Sequence, residues 1–221
     1  MAWFTADFNK FFKELAANNN KEWFDAHRKR YEQSVKEPFA AFTGEMIQRI
    51  GRLDKNVSIT PREAIFRINR DIRFSKDKTP YKLNCSAIIS PAGRSDHAVP
   101  GIYYELGPEA VRIYGGAYQP GKPQLEAIRH AIMRDPRSFR KVIDPAAFKK
   151  HFTAVRGEKN KVLPAPFKQA VAREPLIAYK QFYVRTELPP DSVTDPALAD
   201  MMLVHFKAMQ PFNDWLTKAM K

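Results

Sequence analysis

The sequence predicts an α+β fold, with an antiparallel sheet of about five strands from the middle of the chain flanked by N-terminal and C-terminal helices. Three observations carry that expectation. Apolar residues recur at helical spacing through the first quarter, alternate with period two over about 64–118, and return to helical spacing from about 122. At 221 residues, a single α+β domain spanning 1–221 is long enough to bury a sizeable core.

The N-terminal helices are expected over about 5–53. Thr5 can cap a first helix with the stripe Phe8, Phe11, Phe12 and Leu15, and Asn18-Asn19-Asn20 stops it. Asn19 and Glu22 have capping-box spacing and open a second helix lined by Trp23, Phe24, His27, Tyr31 and Val35. Glu37-Pro38 marks a kink or restart, because proline lacks an amide donor and crowds the preceding turn. Phe39, Phe42, Met46, Ile47 and Ile50 continue the stripe to about Leu53.

Strands follow. In the first, Phe66, Ile68, Ile72 and Phe74 share one face while Arg67, Asn69, Asp71 and Arg73 share the other. Leu83, Cys85, Ala87 and Ile89 form the apolar face of a second, and Ile102, Tyr104 and Leu106 that of a third. Gly107-Pro108 turns the chain into a fourth, through Val111, Ile113, Gly115 and Ala117, and so short a connection implies antiparallel pairing. Helices resume over about 122–152 with Leu125, Ile128 and Ile132. A strand is expected over about 180–188, and a last helix over about 196–218 that bends or breaks at Pro211. Asp135-Pro136, Asp144-Pro145 and Asp195-Pro196 each place a capping carboxylate before a proline suited to the first helical position.

Composition narrows the function classes. The N-terminal residues lack the layout of a secretory signal, and no apolar run approaches the roughly 18–20 residues of a membrane span. The only cysteine, Cys85, cannot close an internal disulfide, so a cytoplasmic protein without membrane association is expected. The net charge is +13, and residues 121–186 hold 15 Lys/Arg against 5 Asp/Glu. A solvated, solubilising surface accounts for that stretch, although such a stretch also attracts polyanions. Neither a zinc arrangement nor a Gly-rich phosphate loop is present, so no metal site or cofactor is expected.

The most informative segment is Arg67–Lys82. It reads as a strand feeding a cation-rich loop, a natural holder for an anionic group. Alternation puts Arg70 on the apolar face, where an unpaired charge is very unfavourable. Arg70 therefore pairs with Asp71 or Asp77, or a bulge turns it outward, or it waits for an anionic ligand. The candidate ligand-binding residues are Arg70, Arg73, Lys76, Lys78, Tyr81 and Lys82, and the expected partner is a small molecule bearing phosphate or carboxylate. One alternative is a metal-assisted phosphoryl-transfer or hydrolytic enzyme using Asp71 and Asp77. A second is a nucleic-acid module in which Arg67, Arg73, Tyr103, Arg112, Tyr114 and Tyr118 interleave cations with aromatics. A third is a structural or protein-interaction domain. The sequence carries no expectation for oligomeric state.

The run Arg70-Asp71-Ile72-Arg73-Phe74-Ser75-Lys76-Asp77-Lys78-Thr79-Pro80-Tyr81-Lys82 resembles the hallmark of a bacterial and fungal family, the domain of unknown function 2461. Asn18-Asn19-Asn20-Lys21-Glu22-Trp23-Phe24 followed by Tyr31 is a second match. Pro100-Gly101-Ile102-Tyr103-Tyr104, Gly115-Gly116 and the helix with Ile128-Arg129 are a third. The resemblance spans about residues 5–215. It departs at His27, where Asn is common in the family, and at Leu163-Pro164-Ala165-Pro166, which puts a role for that later loop in doubt. It implies one shared fold and a site at the first motif, with Trp23 and the Asn18–Asn20 turn as the opposite wall. It implies no particular reaction.

Overall fold

A computed structural model describes residues 2–221. The chain divides into two compact units. One holds the residues up to Arg94 with Tyr103–Ile113 and Glu187–Leu203; the other holds Ser95–Ile102, Tyr114–Thr186 and Val204–Lys221. The sheet is antiparallel, in the order β1 (Cys85–Ile89), β2 (Ile102–Leu106), β3 (Val111–Ala117), β4 (Phe182–Leu188). No helix among the described residues is long and apolar enough to cross a membrane.

The first unit opens with helices α1 (Ala6–Ala17), α2 (Lys21–Ala26), α3 (Arg28–Tyr31) and α4 (Glu37–Leu53). The stripe Phe8, Phe11, Phe12 and Leu15 is wholly buried, and Phe8 meets Phe4 and Phe12 edge-on at 4.7 and 5.3 Å. Arg30 binds Asp7 at 2.6 Å and Glu14 at 2.5 Å, so one guanidinium ties α3 to both ends of α1. A π-helical turn, Glu32–Lys36, joins α3 to α4 with Tyr31, Lys36 and Glu37 all in helical conformation, so Glu37-Pro38 marks a local distortion of a continuing helix and not a restart. Further along α4, Thr43 meets the buried Tyr104 hydroxyl of β2 at 2.8 Å. A short helix, α5 (Pro61–Ala64), then leads into the motif.

In the second unit, α6 (Lys122–Arg134), α7 (Pro136–Ile143), α8 (Ala146–His151) and α9 (Ala165–Lys168) lie between β3 and β4 in sequence. Phe139, Phe152, Phe182, Met209, Phe212 and Leu216 form its core. Gly116, on β3, has φ +102°, and a Cβ there would collide with the Phe182 carbonyl of β4; glycine alone fits. The Arg140 guanidinium on α7 grips the buried Glu174 carboxylate at 2.6 and 2.7 Å.

Several expectations need correction. The sheet has four strands, not five, because residues 66–74 form no regular strand. One isolated antiparallel bridge, Ile65 to Ala87, precedes that segment, and one, Asn69 to Tyr81, lies within it. At the second bridge, Arg70 donates to the Pro80 carbonyl and Lys82 to the Ile68 carbonyl, both at 2.9 Å. Tyr81's own amide and carbonyl therefore point away from Asn69. No strand receives them: the Asn19 side chain does, accepting from Tyr81 N–H at 3.1 Å and donating to its carbonyl at 3.0 Å. Beyond Arg70 the alternation is lost. Phe74, expected on the apolar face, is 95% exposed.

Caps also differ. Asn20, not Asn19, caps α2, accepting from Trp23 N–H at 2.9 Å, since Asn19 is engaged with Tyr81. Asp135 caps α7 through Ser138 N–H at 3.0 Å as expected, whereas Asp144 turns to Lys149 at 2.9 Å and leaves Pro145 at the start of α8. The last helix, α10 (Leu198–Ala219), continues through Pro211 without ending.

Replacing Asn19 by Ala removes both Tyr81 hydrogen bonds and strands two partly buried backbone groups. The expected loss is about 2 kcal/mol in urea denaturation. A change within about 0.5 kcal/mol, the range of an ordinary surface substitution, would contradict this role.

Candidate functional site

The loop is closed at its base by the Asn69–Tyr81 bridge, and its side chains then pair with one another. Arg70 donates to the Asp77 carboxylate and the Thr79 hydroxyl, and also reaches the Thr79 carbonyl at 3.2 Å. Asp77 in turn accepts from the Thr79 amide and hydroxyl, both at 2.9 Å, an Asx turn that folds the chain back before Pro80. A second pair lies within the turn at 71–73: Arg73 grips Asp71 with Nε at 2.9 Å and Nη2 at 2.7 Å. Lys78 donates to the Ile72 carbonyl at 2.9 Å. Of the alternatives for Arg70, internal pairing with Asp77 is the one realised.

The acids respond accordingly. The Arg73 guanidinium, then the Arg73 amide, hold the Asp71 carboxyl down to about 2. The Thr79 amide, then Arg70 and the Thr79 hydroxyl, hold the Asp77 carboxyl down to about 2. Both carboxylates that a metal-assisted or acid–base reaction would use are thus occupied by donors of their own loop. No group of three His, Cys, Asp or Glu that could hold a metal ion occurs among the described residues.

The remaining candidates fall into two sets. Tyr81 is buried, its ring stacked on Phe24 at 4.1 Å, so it supports the loop from below. Trp23 is half-buried, stacked on His27 at 4.0 Å and tilted against Phe11 at 5.6 Å. Lys76 stands exposed and, like Arg67, makes no ion pair among the described residues. Lys82 differs from both. Its ammonium lies 5.4 Å from the centre of the Phe66 ring, and burial, then the Arg67 charge, pull its proton affinity below the usual lysine range. Glu105 acts in the opposite direction, but its carboxylate is shared between the Tyr103 hydroxyl at 2.8 Å and Arg112 at 3.6 Å.

Arg112, read from the sequence as part of a cationic face, also binds Glu187 at 2.9 Å and Glu109 at 3.0 Å. Its charge is balanced where it stands. The close relation of Arg67 to Lys82 was not foreseen. The antiparallel return of the loop creates it, and no spacing in the sequence signals where that return occurs.

The family described as "Conserved hypothetical protein (DUF2461)" matches residues 7–215. The chain belongs to the DUF2461 family. No curated protein and no solved structure matches it. In this DUF2461 chain the first two of the three motifs that carry the sequence resemblance touch one another, since Asn19 and Phe24 from one both rest on Tyr81 of the other.

Asp71 and Asp77 sit below their unfolded values, so the stability they contribute is present above about pH 4 and is lost as pH falls toward 2. Carboxyl-carbon NMR should give both midpoints near 2, and Arg73→Gln should raise the Asp71 midpoint while leaving Asp77 in place. Midpoints near the ordinary 3.9 or so in the wild type would contradict the pairings.

Proposed function

We propose that this DUF2461 protein binds a small anionic molecule, bearing phosphate or carboxylate, at the loop between Arg67 and Lys82. Charge accounting supports the reading. The segment holds six cations, Arg67, Arg70, Arg73, Lys76, Lys78 and Lys82, against two acids, Asp71 and Asp77. Once Arg70 has closed on Asp77 and Arg73 on Asp71, the surplus lies with Arg67, Lys76, Lys78 and Lys82. In this reading Arg70 and Arg73 shape the loop, and the lysines with Arg67 meet the ligand.

The observation that carries it is Lys82. A half-buried ammonium beside another cation is disfavoured by lost hydration and by like-charge repulsion together. An anion bridging Lys82 and Arg67 relieves both, and groups held in this way cluster at binding sites. Trp23 keeps the role implied by the resemblance, a wall to the site, with Tyr81 as the floor beneath the loop.

Inorganic phosphate is the simplest probe. Against sodium chloride at matched ionic strength, saturating phosphate should raise the wild-type melting temperature by about 2 °C or more. Lys82→Met, which keeps the apolar stem and removes the charge, should lose that rise. A wild-type curve that phosphate does not move beyond the chloride control would reject the reading.

A further inference from the structure

Three of the chain's less exposed guanidiniums are matched by carboxylates. Arg30 has Asp7 and Glu14, Arg112 has Glu105, Glu109 and Glu187, and Arg140 has Glu174. Arg129, on α6, is the most deeply buried cation among the described residues, at 2% exposed, and it has no carboxylate partner among them. Its Nη2 donates to the Tyr179 carbonyl at 2.9 Å. Its Nε, also buried, donates to nothing. The Phe167 ring of α9 covers it at 5.7 Å from the guanidinium carbon, and the His130 ring lies 4.8 Å from Phe167. Burial depresses its proton affinity, and Glu126, one turn earlier on α6, opposes this through space without forming an ion pair.

A buried guanidinium that retains its charge needs an acceptor for each buried donor. We propose that Arg129 anchors a second binding site, for the carboxylate of a small monoanionic molecule. The class follows from the surroundings. A free Nε–H beside an Nη edge is the planar fork that a carboxylate fills with two oxygens. One buried cation balances one negative charge, whereas a doubly charged phosphate would bring an unbalanced charge into the interior. The site is independent of the Arg67–Lys82 loop and stands or falls separately.

Acetate, compared with chloride at matched ionic strength, tests it. In protein labelled with ¹⁵N-arginine, acetate should move the Arg129 Nε resonance saturably, and inorganic phosphate should not. Acetate should also raise the melting temperature by about 2 °C or more. Arg129→Met should abolish the response, and Arg129→Lys, which keeps the charge without the fork, should weaken it about tenfold. Lys82→Met should retain it in full, which separates this site from the loop. The proposal is overturned by an Nε resonance that acetate does not saturably shift, by a phosphate effect equal to that of acetate, or by a response lost in Lys82→Met. If Arg129→Met does not fold, the wild-type resonance and Arg129→Lys decide the matter.

Discussion

A side-chain amide holds the motif in place. Asn19 offers one acceptor and one donor to the two backbone groups of Tyr81, supplying what a neighbouring strand would otherwise supply. On the opposite edge Tyr81 faces Asn69, and beneath it the ring stacks on Phe24. The chain is therefore fixed on three sides at the point where the loop begins its return. Asn20, the next residue, caps α2 and so fixes the direction from which Asn19 reaches out. The three-asparagine turn is short, yet it aligns a helix and a loop about 60 residues apart in sequence.

On that frame the loop's charges sort themselves by geometry. A guanidinium can satisfy a carboxylate and a carbonyl together, and Arg70 does both, closing the turn that Asp77 and Thr79 initiate. Arg73 is occupied two residues from its partner. Lysine ammoniums are stronger in hydration and looser in geometry, and they are left over. Exposed lysines are ordinary. A lysine over a phenyl ring, half-withdrawn from water and beside an arginine, is not, and the anion-binding account rests on Lys82 for that reason.

Much of the fold was legible because burial leaves a periodic imprint. The Phe8–Leu15 stripe and the alternation through β2, β3 and the first half of β4 follow from which faces meet the core, whereas β1 is buried on both faces and Leu83, expected on its apolar face, is exposed. The failures share a different cause: alternation reports which side of a segment is apolar, and is blind to whether its edges find partners. Residues 66–74 alternate, but they meet only one bridge, at Asn69, and a proline that has no amide to offer. The Asn19 and Asn20 roles differ by one residue because capping spacing cannot anticipate a competing long-range donor, here the Tyr81 amide that Asn19 Oδ1 accepts from. The last helix runs as far as expected, and of the bend or break that Pro211 suggests the break does not occur, because the burial of Phe212 and Leu216 carries α10 onward despite the missing donor. At the site, the pairing of Arg70 was foreseeable from its place on the apolar side. Arg129 had a signal too: with Leu125, Ile128 and Ile132 it completes the i, i+3, i+4, i+7 positions of one helix face.

The side-chain nitrogen of Lys82 reports most directly on the account. Lysine-selective ¹⁵N NMR should give a titration midpoint below the ordinary value of about 10.4, and saturating inorganic phosphate should raise it as the anion offsets the neighbouring Arg67 charge. A midpoint at the ordinary value, unmoved by phosphate, would mean that Lys82 is no more than a solvated surface charge, and anion recognition by this loop would then be wrong.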